Sequence, residues 1–116
     1  MQNPRFKGVE NFIAYAEIAK TLRLAADRIE QKGHCKHRLN AGSATCAYGA
    51  IGRTATMPGI ASVVGHYVES VNKIDNLVAW NDHAETTAVD VIKAFRSAAE
   101  SAEREPGCVD ISCPVL

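Results

Sequence analysis

Two amphipathic stretches frame this chain and leave few choices of fold. Between Asn11 and Lys32, the apolar residues Tyr15, Ile18, Leu22, Ala25 and Ile29 recur in steps of three and four. Between Thr87 and Arg104, Ala88, Ile92, Phe95, Ala99 and Ala102 do the same. That spacing puts each set along one side of an α-helix. Lys20, Arg23, Asp27 and Glu30 fall off the first stripe and face water. Gly33 follows the first helix as a C-terminal cap. Thr87 with Asp90 three residues on approximates a capping box for the last one.

The middle of the chain continues the helical reading. Cys46–Ala55 reads as a short helix, opened by Ser43 or Thr45 as cap. Gly49 and Gly52 lie within it, and glycine inside a helix costs about 1 kcal/mol against alanine. Close approach of another helix is the expected compensation. Met57-Pro58-Gly59 breaks the chain, and Ile60, Val64, Tyr67, Val68 and Val71 form a third stripe. An interruption near Asn72-Lys73 precedes Ile74, Leu77, Val78 and Trp80, and residues 80–87 (WNDHAETT) read as a polar turn. No hairpin, βαβ unit or internal repeat stands out.

The expected architecture is all-α, a small single-domain bundle of four to five helices, with room for a minor β element near the C-terminus. Residues 1–10 read as a flexible lead-in, 11–104 as the helical domain and 105–116 as a tail. Within that tail, residues 108–116 (CVDISCPVL) are β-prone and read either as disordered or as a docked edge strand. The length, 116 residues, suits one domain with one core.

Composition narrows the function classes. The net charge is zero, which argues against general nucleic-acid binding. The charge is uneven, however. Residues 1–58 hold nine Lys/Arg against four Asp/Glu, and residues 59–116 hold four against nine. Such asymmetry suits solvated faces of different helices, attraction between the two halves of the chain, or head-to-tail association of copies, so a homo-oligomer stays open. No apolar run approaches the ~20 residues of a membrane span, and the first residues lack the apolar core of a signal peptide. The expected location is therefore the cytoplasm. Four cysteines in such a chain read as thiols, ligands or reactive groups rather than a disulfide framework.

The chemistry concentrates in residues 32–46, KGHCKHRLNAGSATC, with two cysteines eleven apart. Four readings apply. A metal site would take Cys35, Cys46 and His37, with His34, His66 or His83 as further donors. Zinc wants four N or S ligands, and no CxxC is present to anchor them. A cysteine enzyme would use Cys46 as nucleophile at a helix N-terminus, His66 or His83 as base and Asn81 or Asp82 as orienter. An anion site would use Lys32, Lys36, His37 and Arg38 beside the helix start at Ser43, Thr45 and Cys46. Trp80 would be its stacking wall and Asp82 an acceptor. No Walker motif is present, and no cofactor is expected. A disulfide between Cys35 and Cys46 is the fourth reading, opposed by a reducing compartment unless oxidation is regulatory.

Three pieces in order, LRLAADRIEQKGHC, TCAYGAIGRTA and WNDHAETTAVDVIKAFRSAAE, carry a resemblance. Over residues 20–103 the chain resembles a family of small uncharacterised domains common in phages and high-GC Gram-positive bacteria. Cys35, Cys46, Gly49, Ala50, Trp80, Asn81, Asp82 and Thr87 match its pattern. His34 stands where an aromatic residue is usual, and Glu85 near where a basic residue is frequent. The resemblance implies fold and origin but no activity. The leading functional expectation is a non-enzymatic, phage-encoded binding module for a host protein or a small phosphate-bearing ligand. Its surface would be Lys36, His37, Arg38, Ser43, Thr45, Cys46, Trp80 and Asp82. The alternatives are the Cys46 enzyme and a structural or assembly protein.

Overall fold

The stripes become helices, and the two long ones pack along each other. A computed structural model describes residues 12–110. The lead-in of residues 1–10 and the end of the tail from residue 111, Cys113 included, lie outside the described residues. The order is β1 (Phe12–Ala14), α1 (Tyr15–Lys32), β2 (Asn40–Ala41), β3 (Ala44–Thr45) and α2 (Ala47–Thr54). Then come α3 (Ile60–Asn72), α4 (Leu77–Asp82), α5 (Ala88–Glu103) and β4 (Cys108–Asp110). The fold is mostly helical, with five helices and two small two-stranded sheets among the described residues.

Helix α1 starts four residues later than its periodicity suggests, because Phe12–Ala14 is taken by an antiparallel pairing with β4, Ile13 opposite Val109. No side chain caps α1; its first amide, Tyr15 N–H, instead donates to Gly107 O at 3.1 Å. The β-prone segment after the last helix is therefore docked over residues 108–110.

The buried stripe of α1 (Ile18, Leu22, Ala25, Ala26, Ile29) meets that of α5 (Val91, Ala94, Phe95, Ala98, Ala99, Ala102). Alanine on both faces removes side-chain bulk, so the helices approach closely. Phe95 is the largest fully buried side chain among the described residues, and Ile51, Ile60, Val64 and Val68 are further core members. The stripe on α5 is shifted from the expected one: Ala88 and Ile92 are only partly buried, and Val91, Ala94 and Ala98 replace them inside. On the outer rim, Arg23 makes two bonds to Glu103, and Arg96 bridges Asp27 and Glu30.

The short helices are set by capping. Asn76 Oδ1 accepts from Ala79 N–H at 2.9 Å and starts α4, so Trp80–Asp82 is helical and the polar turn begins only at His83. Thr87 and Asp90 form the complete capping box of α5.

Candidate functional site

The segment between α1 and α2 is a built structure with its own small hairpin. Asn40 pairs with Thr45 and Ala41 with Ala44, and Gly42 turns the corner at φ 64°. A glycine there meets no Cβ penalty. A parallel bridge joins His34 to Thr45: Thr45 N–H donates to Gly33 O at 3.2 Å and Cys35 N–H to Thr45 O at 3.0 Å. Cys46 N–H donates to Leu39 O at 3.0 Å. This carbonyl explains Gly49, since a Cβ there would lie 2.3 Å from Leu39 O. The close neighbour is thus hairpin backbone, not another helix. Gly52 faces open space and has no such reason.

Neither Ser43 nor Thr45 caps α2. Cys46 does, its Sγ accepting from Gly49 N–H at 3.3 Å. Ser43 lies one turn earlier, its hydroxyl donating to Lys32 O at 3.5 Å and its carbonyl accepting from Arg28. Thr45 is fully buried, and its Oγ1 has no hydrogen-bond partner among the described residues.

Asn81 is the node that joins α4 to this segment. It is fully buried (0% exposed). Its Oδ1 accepts from Ala47 N–H, the first amide of α2, at 2.8 Å, and bonds His34 Nε2 at 2.7 Å. Because the amide of Ala47 can only donate, that atom is the oxygen, and His34 Nε2 is the donor to it. Asn81 Nδ2 donates to Cys35 O at 3.2 Å and to Asp82 Oδ1 at 3.0 Å. A side chain with two acceptor and two donor sites is thus fully used, three of its four bonds spanning 34 to 47 residues of sequence and the fourth reaching the adjacent Asp82.

Asp82 completes the clamp. Its Oδ1 accepts from His37 N–H at 2.8 Å, with the His37 ring 3.7 Å away. Chiefly the His37 amide, then the Asn81 amide, holds the Asp82 carboxyl below the usual carboxylate range; nearby His37 and Lys36 charges add to this. Lys36 Nζ donates to the carbonyl of His83. The structure therefore gathers Lys36, His37, Thr45, Cys46, Asn81 and Asp82, but turns Lys36 and His37 toward the chain's own oxygens. Arg38 is exposed, and its carbonyl lies 3.5 Å from Cys35 Sγ.

Other expected residues lie apart. Trp80 is half-buried against the core and lines a groove with Asn72, Ile74, Asp90 and Lys93 rather than the hairpin. His66 is exposed, with Nδ1 2.9 Å from Glu69 Oε1, and makes no bond to Cys46. His83 Nδ1 accepts from Glu85 N–H. Cys46 is 4% exposed, and burial raises the pKa of the Cys35 thiol. Among the described residues, no group of three or more His, Cys, Asp or Glu is placed to hold a metal ion. None of their helices is long and apolar enough to cross a membrane.

A second surface went unread in the sequence. Lys20, Arg28, Lys32 and Arg53 line an open groove of about 630 Å³ between α1 and the end of α2. Leu24, Gln31 and residues 54–56 complete its walls. The wall of residues 54–56 is tied to α1: Thr54 Oγ1 donates to Thr21 O at 3.2 Å, and Thr56 N–H donates to Thr21 Oγ1 at 3.3 Å. Asp27 is the one carboxylate of the lining, and Arg96 already holds it. The missed signal was the four-residue row Lys20, Leu24, Arg28, Lys32, which runs along one side of α1.

These features define a small helical bundle whose second helix is clamped at its start by a hairpin and a buried asparagine. A family model matches residues 14–101, and the chain belongs to that family, described as a family of unknown function (DUF6197). No curated protein and no solved structure matches the chain.

Proposed function

We propose that this protein is a non-catalytic binding module that takes an anionic ligand in the groove on α1. One observation carries the reading: Lys20, Arg28, Lys32 and Arg53 converge on one concavity whose single carboxylate is already paired. Cations held around a rigid concave wall favour phosphate or carboxylate groups, and Arg adds the planar fork that matches their oxygens. The loop cations Lys36 and His37 are less suited, because Asp82 and the His83 carbonyl occupy them, whereas Arg28 gives one Nη2 bond to Ser43 O and keeps its other donors. A nucleophilic role for Cys46 has less support, since its thiol is buried and serves as a helix cap. From the resemblance at Cys46, Gly49, Ala50 and Trp80–Asp82, we read the module as phage-encoded, acting in the host cytoplasm.

Calorimetric titration with inorganic pyrophosphate tests this. Arg28→Glu and Arg53→Glu are each expected to weaken binding at least tenfold, while Lys36→Glu leaves it within twofold. Unchanged affinity in both groove variants, or loss in Lys36→Glu alone, would overturn the reading.

A further inference from the structure

Cys35 and Cys46 are unused by the groove, yet the backbone sets them side by side. The parallel bridge between His34 and Thr45 is isolated, and Cys35 and Cys46 are the residues that follow it on the two segments. Cys35 N–H donates to Thr45 O at 3.0 Å, so the Cys35 backbone lies against the peptide that leads into Cys46, which is extended (φ −77°, ψ 178°). Beyond them the segments part, because Asn81 takes both Cys35 O and Ala47 N–H, the pair that a further ladder bond would join. Neighbouring strands lie about 4.8 Å apart, and a disulfide closes over Cα separations of about 4.4–6.8 Å. Consistently, the pKa of the Cys35 thiol is raised first by burial and next by Cys46.

Both thiols are free, and neither is strongly held. Cys35 Sγ sits 3.5 Å from Arg38 O, and Cys46 Sγ takes one amide at 3.3 Å. Sulfur is a poor donor and acceptor, so either bond yields readily. Their exposures differ: Cys35 is half-buried, and Cys46 is buried.

We propose that Cys35 and Cys46 form a reversible dithiol–disulfide pair that takes a small disulfide, such as oxidised glutathione, as its oxidant. The accessible Cys35 thiolate attacks one sulfur of oxidised glutathione, forming a mixed disulfide and releasing one glutathione thiolate, which takes up a proton. The Cys46 thiol then loses its proton, attacks Cys35 Sγ and expels the second glutathione. Two protein thiols are oxidised to one disulfide, and one glutathione disulfide is reduced to two thiols.

The test uses the full chain, treated with oxidised glutathione, quenched in acid, alkylated and digested with trypsin. The expected product links the peptide of residues 33–36 (GHCK) to that of residues 39–53 (LNAGSATCAYGAIGR), and dithiothreitol separates them. Its rate of formation rises about tenfold from pH 7 to pH 8, because the thiolate of a thiol with raised pKa is the scarce reactant. Cys46→Ala is expected to stop at a stable glutathione adduct on Cys35. Cys35→Ser, which leaves the buried cap intact, yields an unmodified Cys46. Recovery of both cysteines as free thiols or as separate adducts overturns the proposal, as does a link from either one to Cys108 or Cys113.

Discussion

Replacing Asn81 with alanine removes the contact on which the hairpin, the start of α2 and the end of α4 all converge. The variant leaves Ala47 N–H without its 2.8 Å acceptor and Cys35 O without its 3.2 Å donor. His34 Nε2 also loses its 2.7 Å partner, but His34 is only part-buried and water can replace that one. A buried backbone group left unpaired costs about 1–3 kcal/mol. Ala47 N–H is such a group and Cys35 O is part-buried, so with the small cavity added the loss comes to about 2–4 kcal/mol. Urea denaturation reads this directly. With a slope near 1.5 kcal/mol/M, typical for a chain of this size, the midpoint drops by about 1–3 M at constant slope. Amide exchange at Ala47 is expected to accelerate in step. A loss below about 1 kcal/mol would mean that these groups find other partners and that Asn81 is not the node.

The two glycines of α2 should respond with opposite signs. Gly49→Ala drives a Cβ into Leu39 O and is expected to cost about 1–3 kcal/mol or more, whereas Gly52→Ala meets open space and gains about 0.5–1 kcal/mol in thermal or urea unfolding. Thr45→Val removes a buried hydroxyl that has no partner and should be neutral or stabilising by up to about 1 kcal/mol; a clear loss would mean that the hydroxyl is satisfied after all. Asp82 and Asp90 both titrate below their ordinary values, held down first by the amides of His37 and Thr87 respectively. A carboxyl depressed on folding stabilises above its unfolded pKa, near 3.9, and loses that contribution as pH falls through the folded value. Unfolding measured between pH 5 and pH 2 should therefore weaken less steeply in Asp82→Asn than in the parent chain; identical slopes would contradict the clamp.

The long helices were legible because their burial repeats every three to four residues, and Thr87 with Asp90 announced the start of α5 locally. The hairpin was not. Its strands are two residues each and β2 is wholly exposed, so no alternation marks them. The pairing of Phe12–Ala14 with Cys108–Asp110 joins the two ends of the described chain, and no local pattern can signal that. Asn81 shows the same limit at one residue. Asparagine beside aspartate reads as a turn pair by intrinsic preference, but here Asn76 starts a helix that carries Asn81 inward to meet Ala47. The basic groove was half-visible, as the excess of positive charge in residues 1–58. Its focus on one side of α1 emerged only once residues 54–56 were strapped across Thr21.

Mapping pyrophosphate onto the folded chain by amide chemical shifts reads the groove residue by residue. Saturable shifts are expected at Lys20, Arg28, Lys32 and Arg53–Thr56, with Lys36–Arg38 and Trp80–Asp82 unmoved. Shifts confined to the hairpin and the end of α4, or no saturable shifts at all, would contradict binding in the groove.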